Sequence, residues 1–369
     1  MESKNNKAVV IGGGIHGLTA AIFLASNGFD VILLEKRDNI MRGTSGSTHN
    51  RAHMGYHYPR SMETAVECLE GLNFFKKRYS AALYYPKESY YLLEKNNSKT
   101  SFEEFKSFCD QIGIPYEVEF SGGDKWNEKN IKCGFKVPEP VFNMSVLSEM
   151  LSSEAKSLGV KIITRTEVKD MKREGEFYYI VARDPSGQLE FPANIIVNAT
   201  YALVNNTLKA LGIADDMVEY ELQKTEVVTA RSKVSLPALT VMDGPFVSIM
   251  PLAEDRGENL FLIYDVANSV VERQDGFLAE DVTPQVSNFS KMIEHGRQYF
   301  PFMDDLEYVC SQYGLRPIPK MTIGDSRKTR IVAHKKYPGI YSIFEGKCIS
   351  APLIAQKLVE MIKQDNRII

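Results

Sequence analysis

The sequence predicts an α/β protein, a helix-flanked parallel sheet joined to a second domain built on a large antiparallel sheet. Three observations carry this expectation. Residues 8–35 read as strand, glycine-rich turn, helix and strand. A second β-branched run, Ile195-Ile196-Val197, stands far downstream and suits a strand buried on both faces. Between Glu219 and Phe300 apolar and polar residues alternate in several short runs, the period of half-buried antiparallel strands. At 369 residues the chain has room for two cores. Its 44 Lys+Arg against 47 Asp+Glu leave a formal charge of −3, without the excess of basic residues that a nucleic-acid surface requires.

The opening unit is the most informative. Ala8-Val9-Val10-Ile11 forms the first strand and Gly12-Gly13-Gly14-Ile15-His16-Gly17 fits GxGxxG through Gly12, Gly14 and Gly17. The first glycine permits the tight turn, the second admits a pyrophosphate to the backbone N–H groups, and the third lets helix and strand pack closely. Leu18, Ala21, Ile22 and Ala25 recur at helical spacing until Asn27-Gly28 stops the helix. Val31 to Leu34 is the second strand, and Glu35 ends it, 18 residues after Gly17. A carboxylate there accepts hydrogen bonds from a ribose diol and repels a 2′-phosphate, which argues against NADP. Ile15, His16 and Lys36 belong to the same nucleotide site. The unit alone leaves FAD and NAD both open.

The next segment adds a resemblance. Met41-Arg42-Gly43-Thr44-Ser45-Gly46-Ser47-Thr48-His49-Asn50-Arg51 continues as Ala52-His53-Met54-Gly55-Tyr56-His57-Tyr58-Pro59-Arg60-Ser61. It resembles the flavin loop of the D-amino-acid-oxidase-like (DAO) superfamily of FAD-dependent oxidoreductases. The resemblance implies FAD as cofactor, a Rossmann-like FAD-binding domain carrying the GxGxxG, and a separate substrate domain. It also implies that Thr44, Ser45, Ser47, Thr48, His49 and Asn50 contact the flavin or its pyrophosphate. Within the superfamily, His49-Asn50-Arg51 and His53-x-Gly55-x-x-Tyr58-Pro59 are most similar to the L-2-hydroxyglutarate dehydrogenase branch, with one residue fewer between them and His57 where an aromatic is usual. His49, His53 and His57 stand four apart, a metal-like stripe on a helix, but Gly55 and Pro59 break such a helix, so no metal is expected.

Further elements follow in order. Ser61 can cap a helix to Tyr79. Strands are expected near Leu83–Tyr85 and Tyr90–Leu93, and an amphipathic helix near Phe102–Ile112. Ser121 to Asn130 reads as a polar loop and Ser145 to Leu158 as a helix stopped by Gly159. A strand at Val160–Ile163 leads to Thr166-Glu167-Val168, and a hairpin spans Phe177–Arg183 and Leu189–Phe191 around Pro185-Ser186-Gly187. Ile195–Thr200 is the strand that, by resemblance, returns to the nucleotide domain and ends in a small-residue turn at Ala199-Thr200, while the backbone of Val168 binds the adenine. A helix at Ala202–Leu211 follows it.

Two features lie toward the far end. Tyr313-Gly314-Leu315-Arg316-Pro317 contains a Gly-Leu-Arg-Pro that resembles the stretch in D-amino-acid and glycine oxidases whose arginine clamps the substrate carboxylate. A guanidinium binds that group bidentately and stays charged when desolvated, so Arg316 is the candidate clamp. Tyr337 to Lys347 resembles the family's last strand. Gly346-Lys347-Cys348-Ile349 then stands where the family carries a Gly-His and a longer loop, and is expected to contact the flavin. Ser350 would cap the final helix, Leu353–Ile362, with Pro352 in its first turn. The N-terminus of that helix, with Lys347, would stabilise negative charge on the reduced flavin.

The five cysteines, Cys68, Cys109, Cys133, Cys310 and Cys348, show no paired spacing and read as thiols. Met1–Lys7 carries no signal-peptide pattern, and the apolar stretch Ala8–Leu34 is too punctuated to span a membrane. A cytoplasmic protein without an integral membrane segment is therefore expected.

The resulting expectation is an FAD-binding domain from 1–85, 141–222 and 310–369 and a substrate domain from 86–140 and 223–309. The expected activity is oxidation of a carboxylate-bearing amino acid or secondary amine, by hydride transfer from the C–N carbon to flavin N5. Arg316 holds the small-molecule carboxylate, and O2 or a quinone or other carrier accepts the electrons. One alternative is a 2-hydroxy acid dehydrogenase with His53 as general base, because an alcohol needs a base that a neutral amine does not. The other is a non-catalytic flavin- or NAD-binding module.

Overall fold

The computed structural model describes residues 6–175, 177–244, 247–255, 257–280, 285–320, 329–344 and 346–365. The first five residues of the polar Met1–Lys7 lead, and Glu345 beside the last strand, lie outside them. Strand β1 (Lys7–Ile11), helix α1 (Ile15–Ser26) and strand β2 (Asp30–Leu34) open the chain as expected from the glycine spacing. β1 is central in a six-stranded sheet, parallel to β2 on one side and to Ile195–Asn198 on the other. Lys161–Ile163 extends the sheet beyond β2, and Ile340–Phe344 extends it beyond Ile195–Asn198. Arg330–Ala333 closes that edge in antiparallel sense.

The period-2 alternation of β1 sorts its side chains into two cores. Ala8 and Val10 face α1 and the helix Ala351–Gln364, whereas Val9 and Ile11 face a three-stranded antiparallel layer and the helix Val204–Ala210. Both faces are covered, which is why the strand is apolar from Ala8 to Ile11; burying a valine or isoleucine there stabilises by about 1.5–3 kcal/mol. The three-stranded layer, Glu167–Glu174, Phe177–Asp184 and Gly187–Ala193, contains the hairpin expected around Pro185-Ser186-Gly187. Helix α2 (Met62–Tyr79) lays Cys68, Leu72, Phe75 and Tyr79 on the α1 side of the sheet.

The second sheet has nine strands, antiparallel except where Ser89–Glu94 runs parallel to Ala238–Met242. Its longest pairing joins Tyr220–Arg231 to Glu307–Pro319. The boundaries expected at 222 and 310 therefore fall inside strands of this sheet, because the ladder holds both strands to one unit over their whole length. The far face packs under the helix Phe289–Gly296 and the turn Phe300–Leu306. Among the described residues no helix is long and apolar enough to cross a membrane.

Two serines expected as caps bond elsewhere. Ser61 donates to Thr64 Oγ1, and Ser350 donates to the Lys347 carbonyl, so neither hydroxyl caps a first-turn N–H. In both cases a nearby acceptor competes successfully for a short hydroxyl.

Candidate active site

A cleft of about 460 Å³ runs between the two sheets, bordered by the glycine turn, the 42–53 loop and the middle of the Glu307–Pro319 strand. Its floor is the first turn. Gly12 has φ +106°, and a Cβ there would lie 2.8 Å from the Ala199 carbonyl oxygen. Gly17 does not reach the cleft. It lets α1 press on the turn, since a Cβ at Gly17 would sit 1.8 Å from the Gly12 oxygen. The N-terminus of α1 opens at Gly14 with no side-chain cap and no acid in its first turn, so its partial positive charge is left for an anion. Ser45 Oγ accepts from the Ile15 N–H at 3.1 Å, tying the flavin-type loop to that terminus.

At one end Glu35 lines the cleft with Lys36, Arg37 and Arg42. Its Oε2 accepts from the Gly13 N–H at 2.6 Å and its Oε1 from the Arg37 N–H at 2.8 Å, which fixes the carboxylate at the strand end. Thr166, Glu167 and Val168 form the neighbouring wall, and Ala199 and Thr200 the opposite one. Tyr201, at φ +54°, turns the chain away there.

At the other end the loop residues divide. Thr44, Ser45, Thr48 and His49 line the cleft, but Ser47 and Asn50 do not. Ser47 lies under Gly314, where a Cβ would meet its Oγ at 2.4 Å, and Thr44 Oγ1 donates to the Leu315 carbonyl at 3.1 Å. Asn50 is buried at φ +51° and accepts from Thr48 Oγ1, bracing the loop from behind.

Three histidines reach the cleft: His16, His49 and His53. Burial pushes His16 down to about 4, and the Lys347 charge acts in the same direction. His49 Nε2 lies 2.9 Å from the Leu262 carbonyl; a carbonyl only accepts, so Nε2 carries the hydrogen, and burial with Arg51 nearby pushes this ring down to about 3. His53 is held well below the ordinary imidazole range by burial and then by the proximity of His57, Arg51, Lys347 and His49. Its Nδ1 is buried and has no hydrogen-bond partner among the described residues. All three rings are therefore neutral at pH 7.

Gly346, Lys347 and Cys348 line the same end, with the Lys347 ammonium 4.8 Å from the Tyr58 ring centroid. Ile349 is buried behind them, where its carbonyl packs on Gly71 of α2. Arg316 lies off the cleft wall, although Tyr313, Gly314 and Leu315 are on it. Its Nε donates to Gln223 Oε1 at 2.9 Å, and its guanidinium stands 5.9 Å from the Tyr264 ring, which in turn lies 6.0 Å from His49. No carboxylate pairs with it among the described residues.

Several lining residues were not foreseen: Arg37, Arg42, Arg51, Tyr201, Asn206 and Tyr313. Arg42 and Arg51 stand inside the quoted loop and Tyr313 inside the quoted Tyr313–Pro317 stretch, so their position was visible while their orientation was not. No group of three or more His, Cys, Asp or Glu suited to a metal occurs among the described residues.

The cleft fits FAD on its own features: a glycine turn in which a Cβ at Gly12 or Gly17 would strike backbone, a helix N-terminus with no acid in its first turn, and a carboxylate fixed at the end of β2. Comparison with known proteins agrees. The family of FAD-dependent oxidoreductases named DAO matches residues 7–361. The FAD-dependent monooxygenase kojA of Aspergillus flavus is 34% identical, over 97% of this chain and 86% of its own. The anaerobic glycerol-3-phosphate dehydrogenase subunit A1 of Haloferax volcanii is 25% identical over 97% of this chain, which spans only 64% of that relative's length. The L-α-glycerophosphate oxidase of Mycoplasma pneumoniae, solved with FAD bound, superposes with a TM-score of 0.76 at 18% identity, covering 98% of this chain and 95% of that one. With almost the whole chain inside one family match, the protein belongs to the DAO family of FAD-dependent oxidoreductases, and its cofactor is FAD.

Proposed function

We propose that this enzyme oxidises a CH–OH group in a small molecule that also carries an anionic group, with His53 as general base. The observation that carries this reading is an imidazole in the cleft wall whose buried Nδ1 has no hydrogen-bond partner among the described residues, and burial favours its neutral form. An amine that binds uncharged loses a hydride without help, whereas a hydroxyl must give up its proton as the C–H bond breaks. The Haloferax relative is named for glycerol-3-phosphate, a hydroxyl compound bearing an anion, which supports the same class.

Bound FAD supplies the hydride acceptor, flavin N5. The chain's residues do the rest. Gly12, Gly14, Ile15 and His16 at the start of α1, with Thr44 and Ser45, hold the pyrophosphate; Gly17 allows that approach. Glu35 and Lys36 hold the ribose, and Val168, Ala199 and Thr200 flank the adenosine. Thr48, His49 and the Gly346-Lys347-Cys348 turn hold the flavin end, with Ser47, Asn50 and Ile349 supporting from behind. Lys347 and the N-terminus of helix Ala351–Gln364 stabilise negative charge there. His53 takes the hydroxyl proton and excludes water from that wall.

Arg316 supports the anionic half of the proposal and, through its Gly-Leu-Arg-Pro setting, a second reading in which the substrate is an amino acid or secondary amine. A guanidinium with a glutamine for partner and no carboxylate among the described residues retains donors for an incoming anion. Replacing Arg316 with Met is expected to weaken anionic substrates by about 1.5–3 kcal/mol, roughly 10- to 150-fold, and to leave FAD content unchanged. Titration of the flavin spectrum with substrate measures this; unaltered affinity would remove Arg316 from the substrate site.

A further inference from the structure

We propose that the buried Arg51–Glu139 pair is a clamp that positions His53 between the flavin loop and the nine-stranded sheet. The inference rests on the reading of His53 as base, and neither residue was assigned a role from the sequence.

The clamp grips the chain on both sides of His53. Residues 50–52 run as a short antiparallel ladder against 140–142: Arg51 bridges Val141, Ala52 N–H donates to the Pro140 carbonyl at 3.1 Å, and Phe142 N–H to the Asn50 carbonyl at 2.6 Å. From this ladder the Arg51 side chain crosses to the nine-stranded sheet. One Nη donates to Tyr91 Oη at 2.7 Å and the other to Thr240 Oγ1. Tyr91 and Thr240 are register partners on neighbouring parallel strands, so their side chains emerge together and meet both arms of the guanidinium.

Glu139 completes the grip. Its Oε2 accepts from Tyr91 Oη at 2.6 Å and lies 3.7 Å from Arg51 Nη1, while its Oε1 accepts from the Met54 N–H at 2.7 Å. Residue 51 through its side chain and residue 54 through its backbone thus converge on one carboxylate, with His53 between them. The side chains of Arg51 and Glu139 are 4% and 3% exposed. A buried pair of this kind adds little net stability over apolar residues of equal volume. What it supplies is fixed geometry, because a planar fork with three named partners has one orientation.

Arg51 also adds to the lowering of the His53 imidazole, after burial and the neighbouring His57. The groups facing that ring are the His57 and Tyr58 rings, at 5.4 and 5.3 Å between centroids, the His49 ring, and the charges of Arg51 and Lys347. Removing Arg51 takes away one repelling cation, so the imidazole becomes easier to protonate. Lysine keeps the cation but cannot reach Tyr91 and Thr240 together.

The test uses holoenzyme with Arg51→Met and Arg51→Lys. Two quantities are read: the His53 signal of 13C-histidine-labelled protein across pH 5–9, assigned by its loss in His53→Gln, and the pH dependence of anaerobic flavin reduction. With Arg51→Met, His53 is expected to start titrating at higher pH than in the parent, and the acid limb of flavin reduction moves up with it. With Arg51→Lys both stay in place, but reduction slows roughly 10- to 100-fold, the scale of a small misplacement of a reacting group. Lysine also serves if Arg51→Met does not fold. A His53 signal and a reduction rate that match the parent in both variants would overturn the clamp. A shifted His53 signal with an unmoved acid limb would support the clamp and overturn His53 as the base.

Discussion

Replacing Gly17 with Ala is expected to give a protein that retains almost no FAD. The new Cβ would lie 1.8 Å from the Gly12 carbonyl oxygen, and that neighbour is backbone, which cannot rotate aside. Either α1 lifts from β1 or the Gly12 turn is displaced toward the cleft, where the Ala199 carbonyl already limits it to 2.8 Å from a Cβ at Gly12. Overpacking of this sort costs about 1–3 kcal/mol or more, and the cost falls on the geometry that presents N–H groups to the pyrophosphate. The ratio of flavin to protein absorbance in the purified variant measures it. Full stoichiometric FAD would show that the Gly12–Gly17 contact does not shape the cofactor site.

Replacing His53 with Ala is expected to slow flavin reduction by a hydroxyl substrate roughly 10²- to 10⁴-fold, the usual worth of a positioned base. FAD should remain bound, since among the described residues no hydrogen bond of the flavin loop depends on the His53 ring. The sign of the pH effect follows from the environment. A base works unprotonated, and the folded protein holds this imidazole well below its ordinary value of 6.5, so the parent should stay active as pH falls through that value. The variant should lose the remaining acid limb altogether. Stopped-flow reduction from pH 5 to 8 reads both effects, and an unchanged rate and profile would place the base elsewhere.

How much of this was legible in the sequence depends on the range over which each feature is specified. The β1–α1–β2 unit is local: three glycines, an apolar stripe and Glu35 are read along one short stretch, because a pyrophosphate at a helix N-terminus demands that spacing. The alternation after Glu219 likewise announced antiparallel strands. The domain limits were less legible, since the partner of Glu307–Pro319 is Tyr220–Arg231 and nothing local to either strand says so. The same holds for the clamp: Tyr91 and Thr240 meet through the register of two separate strands, and Arg51 and Glu139 reach them from segments outside those strands.

Arg316 illustrates a subtler gap. Its motif marks a guanidinium, but strand geometry places it beside Gln223 and Tyr264 instead of on the cleft wall. Conversely, the structure contains an arrangement that invites a wrong reading. His334 lies between Asp216, at 2.6 Å, and Ser342, at 2.8 Å, in the order of a hydrolytic triad. Ser342 is fully buried within the parallel sheet and is not on the wall of the FAD cleft, so the three tie the turn at Asp216 to the sheet edge. Geometry alone does not make a site; access does.

The most direct test of the account is anaerobic loss of the flavin's visible band, measured against matched sets of 2-hydroxy acids, hydroxyl phosphates, amino acids and N-alkyl amino acids. The account predicts bleaching by one of the hydroxyl sets, at a rate that collapses in His53→Ala while the flavin stays bound. Bleaching by the amines alone, at a rate indifferent to His53, would contradict it and would assign the site to C–N oxidation with Arg316 as the clamp.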